Sequence, residues 1–138
     1  MTRILCATAA VLLLTTMRIS AHHSFSAEDD ENKLVTVSGT VMSFQLTNPH
    51  AWLYVGVKDE NGKVTSWRFE MGSPNGLVHR GWTLTDLKKG DPVTVDGYAA
   101  RNGSNTANAR TVTLPGGRSY SGASRALPAP PPGRNALR

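Results

Sequence analysis

The sequence predicts a mainly β domain: an OB-like five-stranded Greek-key barrel with one short helix between strands three and four. Three observations predict it. Alternating apolar and polar residues mark five segments of strand length. The first is long and carries Gly39 in its interior, where a strand bends or bulges. A proline-started helical segment falls between the third and the fourth, the layout of an OB barrel. A five-stranded open sheet with one helix is the alternative arrangement.

Residues 1–21 read as a secretory signal peptide: Arg3, the apolar run Ile4 to Leu14, and small residues at Ser20-Ala21. The run is too short to span a bilayer, which takes roughly 20 residues. Cleavage after Ala21 makes His22 the first residue of a periplasmic or secreted chain with no membrane span. Cys6, the only cysteine, leaves with the signal, so the mature chain forms no disulfide. Residues 22–33 are polar, with the acidic run Glu28 to Glu31, and read as a flexible, solvated arm.

The domain is expected over residues 34–115. In the strand Leu34 to Leu46, Val35, Val37, Gly39 and Val41 share one face, and Thr36, Ser38, Thr40 and Met42 the other. Thr47-Asn48-Pro49-His50 interrupts it, since Pro49 cannot donate to a ladder. From Ala51 to Lys58, Leu53, Val55 and Val57 oppose Trp52, Tyr54 and Gly56. Asp59 to Gly62 makes a hairpin turn, and Val64 to Met71 returns with Trp67, Phe69 and Met71 on one face. Ser73 caps a helix that starts at Pro74 and stops near Arg80, before Gly81. After a turn at Leu87 to Asp91, strands follow over Pro92–Ala100 and Ala107–Leu114, joined by the polar loop 101–105. Leu53, Val55, Val93 and Val95 are expected in the core. Residues 116–138, rich in Gly, Ser, Pro and Arg, read as a disordered tail.

Net charge is +5, but residues 22–115 carry nine Lys/Arg against ten Asp/Glu. The excess of arginine lies in the signal and the tail. A near-neutral domain lacks the clustered cations that nucleic-acid binding requires.

Several motifs occur in order: His22-His23-Ser24-Phe25, Thr47-Asn48-Pro49-His50, Phe69 to Asn75, Gly81-Trp82 and Asn108-Ala109-Arg110. Together they resemble a family of small exported bacterial proteins, domain of unknown function 6152, from His22 to about Tyr120. The resemblance implies an exported bacterial protein and assigns no catalytic residue.

Two adjacent histidines at a new amino terminus can bind Cu(II) through the amine and imidazole nitrogens. His22, His23 and His50 are therefore the candidate metal ligands, set against a solvated leader; no cofactor is otherwise required. In an OB barrel the loops joining strands one and two, and four and five, border the ligand face. Asn48, His50, Arg101 and Asn102 can then form one rim, with Asn48-Pro49 also readable as a plain turn. Trp52, Tyr54, Trp67 and Phe69 can offer a stacking surface, or simply pack. Glu70, between Phe69 and Met71, is a candidate acid, or a salt-bridge partner of Arg68, Arg80 or Arg110. Ser73 lacks a nucleophile elbow, and no catalytic constellation is evident. The expected function is an exported binding module of the bacterial envelope, taking a small molecule or an envelope protein. The alternative is a periplasmic enzyme using Glu70 or His50 as acid or base.

Overall fold

In the computed structural model, residues 28–83 and 85–124 are described. Six strands and one helix follow in order: β1 (Asp29–Gln45), β2 (Trp52–Lys58), β3 (Val64–Glu70), α1 (Pro74–His79), β4 (Pro92–Ala100), β5 (Thr106–Thr113) and β6 (Ser119–Ser121). β1 pairs antiparallel with β2 on one edge and β4 on the other. β3 pairs antiparallel with β2 and parallel with β5, and β5 returns antiparallel to β4. The strands therefore close in the order β1-β2-β3-β5-β4-β1. That ring is the OB-like barrel, and the helix sits between β3 and β4 as the sequence predicts.

β1 serves two neighbours because it bends. Asp29 and, after a break in register, Leu34 to Thr40 pair with β4, and Thr40 to Gln45 pair with β2. At the changeover a Cβ on Gly39 would lie 2.5 Å from the Gly56 carbonyl oxygen and 2.8 Å from Val55 Cγ1. Only glycine allows β1 and β2 to approach so closely there. The bulge itself comes later, between Val41 and Ser43, so that Met42 has no partner on β2 and is exposed.

Inside the ring, Val41, Leu53, Val55, Phe69, Met71, Val95 and Val112 are fully or almost fully buried, and Val93 is 4% exposed. The four predicted core residues are all there. Phe69 is a core residue with Trp67 stacked beside it at 6.0 Å, whereas Trp52 and Tyr54 point outward, half-buried. The aromatic set thus splits across two faces. Ser73 Oγ accepts from Gly76 N–H, Pro74 opens the helix, and Leu77 plugs it into the core.

Two segments differ from the sequence reading. β1 starts at Asp29, inside the span read as a flexible arm, because Asp29 pairs with Ala100. β6 lies inside the span read as a disordered tail. β3 pairs with β5 at Thr106–Asn108; β6 pairs with it further along, at Thr111–Thr113. Tyr120 packs on Trp82 at 5.3 Å, Trp82 Nε1–H donates to the Ser121 carbonyl, and Gly72 N–H to that of Gly122. These bonds give a glycine- and serine-rich stretch the order its composition does not announce.

Candidate functional site

Because side chains alternate along each strand, residues paired in register share a face. Leu53, Phe69 and Ala107 face the core, so Trp52 and Glu70, paired across β2 and β3, face outward; Asn108 on β5 shares that face but is covered, 2% exposed and hydrogen-bonded to Ser124. One step along the barrel, Arg68 pairs with Thr106 in the same way. The β4–β5 loop and the start of β1 rise beside this outer face. Together they enclose a cleft of about 390 Å³ whose lining includes Asp29, Trp52, Arg68, Glu70, Arg101 and Asn102.

Each wall has an identifiable support. The Arg68 guanidinium lies over the Trp52 ring, 4.9 Å from its centroid, which fixes a long side chain by cation–π contact. Arg101 clasps the start of β1: its backbone N–H donates to the Glu28 carbonyl at 2.9 Å and its Nε–H to the Asp29 carbonyl at 3.0 Å. Asn102 Oδ1 accepts from Ser104 N–H and shapes the loop as an Asx turn.

Asp29 is the unusual group. It is only 6% exposed, although it stands in a charged run. Burial pushes its pKa from 3.8 up to about 6, helped by the nearby charges of Glu70 and then Glu28. The acidic run was expected to be solvated; its second member is instead buried at the cleft.

His50 sits in the β1–β2 loop, which contains a cis Asn48–Pro49 peptide bond, and its Nδ1 contacts the Glu70 carboxylate directly. Glu70 therefore pairs with His50, not with Arg68, Arg80 or Arg110. A carboxylate against Nδ1 requires the hydrogen on that nitrogen and leaves Nε2 facing elsewhere. Of the four predicted rim residues, Arg101 and Asn102 line the cleft, His50 joins it through Glu70, and Asn48 is exposed and outside its lining. His22 and His23 lie outside the described residues. Among the described residues no group of three or more His, Cys, Asp or Glu is placed to hold a metal ion.

A second, more open concavity lies on the β1–β4 side, lined by Ser38, Thr40, Thr94 and Pro115 among others, and no charged or aromatic residue reaches it. The charged groups are concentrated in the first cleft. No helix among the described residues is long and apolar enough to cross a membrane.

Residues 10–109 match the family of unknown function DUF6152, and the chain belongs to that family. The match extends from before β1 into β5 and includes Asp29, His50, Trp52, Arg68, Glu70 and Arg101. No curated protein matches the chain.

Proposed function

We propose that this member of the family is an exported binding module, periplasmic or secreted, that takes a small ligand in the cleft beside Arg101. One observation carries the proposal. Trp52 on β2, Arg68 on β3 and Arg101 and Asn102 after β4 line a single cleft on the outer face where OB barrels bind their ligands. Its volume falls in the range of small-molecule sites, roughly 300–1,000 Å³. A protein that docks on the envelope would use the same rim, and the volume favours the small molecule. Fold position is an analogy, so the weight rests on the side chains. Export stands on the signal-like leader, and Cu(II) at His22 and His23 on their position behind it. If His50 contributed to that metal, Nε2 is the nitrogen it would use, because Nδ1 is turned to Glu70.

The test is retention of molecules from an extract of the host's envelope on immobilised chain, with His50→Ala plus Arg101→Ala as the comparison. Binding that the double variant loses supports the proposal. Identical sets retained by both proteins would defeat it.

The direct His50–Glu70 contact favours one second reading, an enzyme with His50 as base or acid. The carboxylate orients the ring, so that Nε2 is the atom that moves a proton. Turnover of a retained molecule, abolished by His50→Ala, would establish it over simple binding.

A further inference from the structure

The cleft holds charges of both signs. Arg68 and Arg101 reach it from different elements, and each is anchored on one side, by the Trp52 ring and by the Asp29 carbonyl. Neither forms an ion pair with Asp29 or Glu70, although both line the same cleft. Their guanidinium forks therefore keep donors for an external anion, and a planar fork suits a carboxylate or phosphate best.

The acidic wall has the opposite need. Asp29 is only 6% exposed, and the charge of Glu70 is close enough to act on it. A carboxyl beside a like charge in a poorly hydrated wall gains from a nearby cation. An ion of a single sign satisfies only one wall. A plain anion near the arginines would still meet Asp29 and Glu70, and a plain cation near the carboxylates would meet two guanidinium groups.

We propose that the cleft recognises a small zwitterion of the amino-acid type, its carboxylate held by Arg68 and Arg101 and its ammonium by Asp29 and Glu70. This deepens the binding reading above and rests on it. The ammonium places a positive charge and three donors between Asp29 and Glu70. It also favours the ionised form of Asp29, so binding below about pH 6 releases a proton from that residue. Affinity then rises as pH climbs through about 6 and levels off above it.

Calorimetric titration of the full chain tests this with free L- and D-amino acids, and with the N-acetyl derivative and the methyl ester of each. At least one free amino acid should bind, and capping either end should weaken it tenfold or more. Arg101→Ala should weaken the free and the N-acetyl forms alike. Asp29→Asn, a near-isosteric change, should erase both the preference for the free amine and the dependence on pH near 6. An N-acetyl derivative or an ester that binds as tightly as its free parent would overturn the zwitterion, and so would a panel without a binder. Those results leave the broader binding reading to the envelope-extract comparison, which fails or succeeds independently.

Discussion

Asp29→Asn should make the chain more stable at neutral pH and flatten its stability between about pH 4 and 6. The Asp29 carboxyl has a folded-state pKa of about 6 against an ordinary 3.8, first through burial and then through Glu70 and Glu28. Below pH 3.8 the group is protonated whether the chain is folded or not, and it carries no penalty. As pH rises towards 6 the unfolded chain ionises first, so folding loses stability steadily across that window. Above about 6 both states are ionised, and the folded state keeps the whole cost of a buried charge beside like charges. A shift of about two pKa units corresponds to at most roughly 3 kcal/mol, and solvent in the cleft screens part of it. For a domain near 100 residues even about 1 kcal/mol is roughly 4 °C or more in Tm. Asparagine keeps the shape and removes the charge. Urea unfolding of both proteins at each pH from 4 to 8 reads the difference, which should be near zero at pH 4 and full by pH 7. Two stability profiles that run parallel over the whole range would refute the argument. They would show that its surroundings do not penalise the Asp29 charge.

Gly39→Ala places a methyl group against the Gly56 carbonyl and Val55, both in the barrel wall, and should cost about 2–3 kcal/mol by overpacking, read as a lower Tm. Ending the chain at Gly116 removes β6 and the cover over Trp82; unfolding at a denaturant concentration well below that of the full chain is expected. Calorimetry with Cu(II) on the chain cleaved after Ala21 should show binding that strengthens as pH rises through about 6.5–8, where imidazole and amine deprotonate. One extra residue before His22 should weaken that binding, and equal affinities would remove the terminal amine from the site.

The barrel was legible because its strands alternate. Leu53 and Val55 against Trp52 and Tyr54 assign the faces of β2 without any tertiary information, and Ser73-Pro74 announces the helix. Arg101 and Asn102 were legible at one remove, through the position of their loop in this class of fold. Asp29 was not. It stands in a charged run with no alternation, and its partner Ala100 is distant in sequence, so nothing local distinguishes it from Asp30, which is more exposed. Glu70 was singled out, yet its partner was missed, because strand spacing favours neighbours such as Arg68 and cannot show that the β1–β2 loop brings His50 over the end of β3. β6 escaped for a different reason. It is three residues long, and its order comes from Trp82, Gly72 and Arg110 reaching it from elsewhere.

The cleft as a binding site is tested most directly by nitrogen-detected NMR of the isotopically labelled chain, titrated with the small-molecule fraction of a host envelope extract. The account predicts shifts at the Trp52 indole N–H, the Nε–H of Arg68 and Arg101, and the amides of Asn102 and Thr106. Shifts confined to the β1–β4 concavity around Ser38 and Thr94, or none at the Trp52 indole and the two arginines, would contradict it.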